Sequence, residues 1–169
     1  MTASLYDFTV PALVRALTNL SSQLDKAKAH AEQKKCDFKA FAEARLIADM
    51  RPLTSQVQIA CDNAKGAVAR LSGIEAPKYE DNETTFEELK ARIGKTLDFV
   101  NSVKREQFAG AEDRTIVLQF PSLTLKFTAQ DYITKFLLPN FYFHATMAYA
   151  LLRQNGVDIG KQDFMGAIQ

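Results

Sequence analysis

The sequence has few cysteines and no excess of either charge, and these two features argue against a disulfide-rich protein and a nucleic-acid-binding protein. Its two cysteines, Cys36 and Cys61, form no CxxC pair. We therefore expect reduced thiols in a cytoplasmic protein and no disulfide scaffold. The chain carries 21 basic and 20 acidic residues, for a formal net charge of +1. A nucleic-acid-binding domain normally carries a basic excess on one face, so we expect no nucleic-acid partner.

The sequence also lacks a long apolar run. The most apolar stretch, Phe136 to Phe143, is interrupted by Pro139 and Asn140, whereas a membrane-spanning helix needs about 20 consecutive apolar residues. The first residues, MTASLYDF, show neither the basic region nor the apolar stretch of a secretory signal peptide. We expect no membrane partner and a cytoplasmic location.

What the sequence does contain is the composition of one globular domain. The 169 residues are 47% hydrophobic and 24% charged, which suits a single domain over 1–169 with a sizeable core. Apolar residues recur at spacings of three and four in four long segments. They predict helices from about Thr9 to Lys35, Pro52 to Leu71, Phe86 to Val100 and Asp131 to Gln154.

Shorter signals lie between these helices. The stretch Asp37 to Met50 can hold a short helix, and Thr84 with Glu87 forms a capping-box pattern for the third long helix. TIVLQF (115–120) and LTLKF (123–127) predict a β-hairpin. The tail after Gly156 keeps apolar residues, so we expect it to fold back. The fold class is all-α: a four-helix bundle with a small β-hairpin between helices 3 and 4.

The last long helix carries the polar residues that stand out most. Asn140 and His144 lie four residues apart on its apolar stripe, so they share one face and point toward the core. Pro139 removes one helical N–H just before them and can open a cavity. Three roles stay open for His144: a core histidine held by Asn140 or by a side chain of the second helix, a ligand contact, or a metal ligand.

The second helix carries a polar line that includes Gln58 and Asp62. This line is either a solvated helix face or the place where Gln58 faces His144 across the bundle. Asp62 could instead pair with Lys65 or Arg70.

Two other reactive side chains have simpler interpretations. Cys61 lies on an alanine-rich stripe, which is typical of a small core residue and not of a nucleophile. His30 lies among charged residues late in the first helix, so we expect it at the surface.

The last helix is apolar nearly all round, which predicts a homodimer that uses this helix or the first one.

Three segments resemble the DinB/YfiT-like superfamily of four-helix bundles, and most closely an uncharacterised bacterial family within it. They are LIADMRPLTSQVQIACDNAKGAVARL, YEDNETTFEEL and LPNFYFHATMAYALLRQNGVDIGKQDFMG. The resemblance covers essentially the whole chain. It implies an up-down-down-up bundle with a long crossover between helices 2 and 3, and a dimer.

The resemblance also implies a metal site, because better-known members bind a divalent metal through three histidines and some use it to activate a small thiol. Gln58 and Asn140 stand at the first two of these positions, and only His144 remains. Neutral amide oxygens are weak substitutes for imidazole, so we expect no cofactor, with a divalent metal as the weaker alternative.

We therefore predict a small-ligand-binding module with a vestigial metal site. Gln58, Asn140 and His144 line the site, and Tyr142 or Phe141 forms a wall. One alternative is a metal-dependent transferase-like enzyme that uses His144, Asn140 and Asp62. Another is a structural or partner-binding dimer.

Overall fold

A computed structural model describes residues 4–167 of the chain. The helices are α1 (Leu5–Lys34), α2 (Phe38–Ala42), α3 (Leu53–Ser72), α4 (Phe86–Ser102), α5 (Ala129–Asp131), α6 (Leu138–Gln154) and α7 (Lys161–Met165). A π-helix (Tyr132–Leu137) joins α5 to α6, and two 3₁₀ turns (Arg105–Phe108 and Ala111–Asp113) follow α4. Strands β1 (Thr115–Phe120) and β2 (Leu123–Thr128) complete the element order. The first three residues and the last two of the predicted domain lie outside the described residues.

The first helix begins one turn earlier than the sequence predicted. Thr9 does not cap it; its hydroxyl donates to the Leu5 carbonyl at 2.7 Å. The Asp7 carboxylate accepts instead from the Ser4 N–H at 2.9 Å, which satisfies one of the free donors at the helix start. Pro11 therefore lies within α1 and not in its first turn.

Local residues explain where α3 ends and where α4 begins. Helix α3 ends at Gly73, whose φ of 81° is the left-handed conformation that glycine adopts at low cost. The cap of α4 lies one residue later than predicted. The Thr85 hydroxyl accepts from the Glu88 N–H at 3.1 Å, and the Glu88 carboxylate accepts from the Thr84 N–H at 2.6 Å. The sequence TTFEE satisfies the capping pattern in both registers, so contacts beyond the pattern select one.

The predicted hairpin is confirmed, and its two antiparallel strands pair from Thr115 with Thr128 to Phe120 with Leu123. The predicted return of the tail is also found. Helix α7 lies against α1, where the Asn19 amide donates to the Phe164 carbonyl at 3.0 Å and Arg15 donates to the Met165 carbonyl at 2.8 Å.

Contacts between the long helices fix their directions. Helices α1 and α4 run antiparallel, because Asp25 pairs with Lys90 while Asp7 pairs with Arg105. Helices α3 and α4 run parallel, because both begin beside α2: the Thr54 hydroxyl donates to the Ala42 carbonyl, and the Phe86 ring packs against Phe41. Residues 73–85 between them form the long crossover. Helix α6 is antiparallel to α3. The result is the predicted up-down-down-up bundle.

The interior is mostly apolar along all four long helices, with a few buried polar side chains such as Gln56 and Arg92. The small side chains of α3 (Ala60, Ala64 and Ala67) have no exposed surface and allow its neighbours to approach closely. Burial of such side chains is the main favourable contribution to stability. Within residues 4–167, no helix combines the length and apolar character that spanning a bilayer would require.

Candidate functional site

Three polar pairs join α3 to the π-helix and α6, and we call them the polar seam: Gln56 with His144, Asn63 with Asn140, and Arg70 with Tyr132. The α3 members recur every seven residues, so they lie on one face of that helix. The seam places Asn140 and His144 on the same side of α6, as the sequence predicted.

His144 is held by a glutamine of α3. Its Nδ1 lies 2.6 Å from Oε1 of Gln56, a residue that is only 1% exposed. The Gln56 amide nitrogen donates to the Arg51 carbonyl at 2.9 Å, which fixes the direction of the amide. Oε1 can therefore only accept, so the hydrogen-bond network assigns the proton to Nδ1 of His144.

This arrangement leaves the second ring nitrogen available. Within the described part of the chain, Nε2 of His144 has no hydrogen-bond partner, and the half-buried ring packs edge-on against Phe143 at 5.2 Å. Burial lowers the pKa of His144 below its ordinary value of 6.5. The imidazole is therefore neutral at pH 7, and Nε2 offers a lone pair to a ligand that carries a hydrogen-bond donor.

The pH dependence of stability tests this state of His144. Since the folded-state pKa is lowered, the contribution of His144 to the free energy of unfolding is complete above about pH 6.5 and is lost as the pH falls through the folded-state pKa. We expect His144→Phe to remove that part of the pH slope, measured by urea unfolding at pH 5 to 8, with His30→Phe as the control. An unchanged slope in His144→Phe would contradict the assignment.

The two asparagines form the centre of the seam. The Asn140 amide donates to Oδ1 of Asn63 at 3.0 Å. Nδ2 of Asn63 is buried and unpaired within residues 4–167. A buried donor without a partner costs free energy, so the centre of the seam retains unused hydrogen-bonding capacity.

The π-helix determines the direction in which Tyr132, the partner of Arg70, points. Tyr132 and Asn140 are eight residues apart, whereas two α-helical turns contain about 7.2 residues. A π-helical turn holds one residue more than an α-helical turn, so eight residues fill two turns and Tyr132 faces α3 in line with Asn140. Its hydroxyl lies 3.4 Å from Nη1 of Arg70. The predicted kink at Pro139 thus takes the form of a widened turn just before it.

Gln58 does not meet His144, and this part of the prediction is wrong. Residues 56 and 58 are separated by about 200° around a helix, so when Gln56 faces α6, Gln58 faces away. Its amide donates to Oε2 of Glu83 in the crossover at 2.8 Å.

Gln58 belongs to a second polar cluster that the sequence did not reveal, centred on Arg92 of α4. The Arg92 side chain is 2% exposed. It donates to Glu83 at 3.0 Å, to Asp62 at 3.0 Å, and to the backbone carbonyl of Glu80 at 3.0 Å. The cluster fastens the crossover to α3 and α4.

Asp62 is therefore engaged on the α4 side of α3. It also pairs with Lys65 at 2.9 Å, one of the two partners proposed from the sequence, while Arg70 turns to Tyr132 instead. The three metal ligands of the alternative hypothesis, His144, Asn140 and Asp62, do not come together, because Asp62 is held by Arg92 on the other side of α3. Among residues 4–167, no group of three or more His, Cys, Asp or Glu side chains could hold a metal ion.

Tyr142 lies apart from both clusters. It lines a cavity of about 300 Å³ between α1, α6 and α7, together with Phe164. Because residues 142 and 144 also differ by about 200° around the helix, Tyr142 cannot form a wall beside His144. Phe141 has no exposed surface and belongs to the core.

Cys61 is a core residue, as predicted. It is fully buried, and burial raises its pKa to about 12, so the thiol stays protonated at neutral pH. His30 does not lie fully at the surface, where the sequence predicted it. It is half-buried, with its ring edge-on to Phe41 at 6.3 Å and beside Gly156.

These features define a DinB-like four-helix bundle. The chain is similar to the protein in the crystal structure of a DinB family member from Shewanella denitrificans at 1.83 Å resolution, with 44% sequence identity and a TM-score of 0.88. The match covers 97% of this chain and 93% of that chain. The chain belongs to the DUF1993 family, a domain of unknown function, whose model matches residues 5–165. The comparison with curated proteins found no match.

Proposed function

We propose that this chain is a small-ligand-binding protein whose site is the polar seam, which contains two of the three positions, Asn140 and His144, where the resemblance places metal-binding histidines. The observation that carries the proposal is the fixed tautomer of His144. Its Nδ1 is engaged by Gln56 at 2.6 Å, and its Nε2, at a half-buried position, has no partner among residues 4–167. The ligand donates an N–H or O–H to Nε2.

The residues around His144 support a hydrogen-bonding site more than a catalytic one. Asn63 and Asn140 are neutral amides, and neither can act as a general base at neutral pH. They can orient a polar ligand, and the unpaired Nδ2 of Asn63 supplies a donor after a small local adjustment. The ancestral metal site is then a vestige: Asn140 and His144 still share one face of α6, whereas Gln58 lies outside the seam.

A metabolite screen tests the proposal. We expect at least one compound with a hydrogen-bond donor to raise the melting temperature of the wild-type protein by mass action. The same compound should leave His144→Phe unshifted and should still stabilise Thr146→Ala, a control at an exposed position in the next half-turn. Hits that stabilise all three proteins equally would contradict a site at His144.

The alternative function, a metal-dependent transferase-like enzyme, is favoured by one observation. A ring nitrogen anchored by an oxygen acceptor, with the other nitrogen free, is the usual arrangement of a metal-binding histidine. Its weakness is that the remaining seam groups near His144 are the amides of Gln56, Asn63 and Asn140.

We also propose that the protein forms a homodimer. Phe143 on α6 and Phe8 on α1 are 50% and 60% exposed, and large exposed aromatic side chains are typical of interfaces. Light scattering at micromolar concentration should give twice the monomer mass of 18.9 kDa, and a monomer would contradict the proposal.

A further inference from the structure

We infer that the cavity between α1, α6 and α7 is a second binding site, which takes a small apolar carboxylate. The cavity has a volume of about 300 Å³, at the lower end of the range for small-molecule sites. Its walls are Ala12 and Ala16 of α1, Tyr142 of α6, and Phe164 and Met165 of α7. The seam does not contribute to it.

Helix α7 forms the roof of this cavity and is attached by its main chain. The Asn19 amide donates to the Phe164 carbonyl at 3.0 Å, and Gln23 donates to the Asp163 carbonyl at 3.0 Å. Gly166 allows the close approach, because it adopts a φ of 72° and a Cβ there would lie 2.7 Å from Oδ1 of Asn19. The roof is thus a built part of the fold, and the cavity beneath it has defined walls.

The polar groups of the cavity select the charge of the ligand. Arg15 lines the cavity and donates to the carbonyls of Met165 and Ala167, each at 2.8 Å. The Arg15 side chain is exposed, and no carboxylate within residues 4–167 pairs with it. The Tyr142 hydroxyl is also unpaired there. A cation and a phenol at the edge of an apolar cavity fit a ligand with a carboxylate at one end and an apolar body at the other.

Sodium benzoate is a suitable probe, and benzamide is its neutral counterpart. We expect saturable shifts of backbone amide NMR signals at residues 12–19, 142 and 164–166 when the full chain is titrated with benzoate. Benzamide should bind at least about tenfold more weakly, since a hydrogen bond to a charged group is stronger than one between neutral groups.

Three variants make the test decisive. Arg15→Gln should weaken benzoate binding about tenfold or more. Because Arg15 also holds the roof, Ala16→Leu provides a second test: it fills the cavity without changing its charge and should abolish binding. His144→Phe should leave benzoate binding unchanged, which separates this site from the polar seam.

Equal binding of benzoate and benzamide would overturn the proposal, as would shifts that do not saturate or that persist in Ala16→Leu. Shifts at residues 140 and 144 with none at residues 12–19 and 164–166 would also overturn it, and they would place the ligand in the seam instead.

Discussion

Replacing Arg92 by Met should lower the free energy of unfolding by about 3–5 kcal/mol, the usual cost of removing one partner from a buried ion pair. Glu83 is the reason, because its side chain is only 8% exposed. Burial alone would raise the pKa of Glu83, but the hydrogen bonds from Gln58 and Arg92 outweigh burial and lower it. Without Arg92, a buried carboxylate would lose its cation, and the crossover would lose its anchor. Urea unfolding at pH 7 measures the change.

Two further variants show whether the charge is the cause. Lys90→Met removes the surface pair with Asp25, and we expect a loss below about 1 kcal/mol. Adding Glu83→Gln to Arg92→Met removes the uncompensated charge and should recover part of the stability, which a double-mutant cycle measures. A loss below 1 kcal/mol for Arg92→Met would show that the cluster is not a stabilising element.

Replacing Phe141 by Ala should cost about 3–5 kcal/mol, because the ring has no exposed surface and its removal leaves a cavity in the core. The sequence offered this residue as a wall of the ligand site, whereas the structure places it among the packed side chains. Thr146→Ala is the control on the same helix. Its side chain is exposed, so the change in unfolding free energy should be small, about 0.5 kcal/mol. Equal losses in thermal or urea unfolding would contradict the assigned positions.

The helices were predictable because apolar spacing is a local signal with a known period. Their ends were less certain where neighbouring residues satisfy the same rule, as Thr84 and Thr85 do before α4. The widened turn before Pro139 was not predictable in form. A proline shows that a backbone hydrogen bond is missing, but the neighbouring helix decides how the turn adjusts.

The candidate site was predicted in part. Asn140 and His144 were found because they share a face of one helix. Their partners were missed because the choice between Gln56 and Gln58 depends on how α3 is rotated in the bundle. A signal for the correct choice was present, since Gln56, Asn63 and Arg70 recur every seven residues. Arg92 carried a signal of its own: it lies three residues after Leu89 and four before Thr96, on the buried face of α4.

The most direct test of the central claim is the metal content of protein purified without chelators and without a histidine tag, measured by mass spectrometry beside His144→Ala. The claim is that the seam binds through hydrogen bonds and that its metal site is vestigial. We expect well below one metal ion per chain in both proteins. Near-stoichiometric metal in the wild type that disappears in His144→Ala would contradict this account and support the transferase-like alternative.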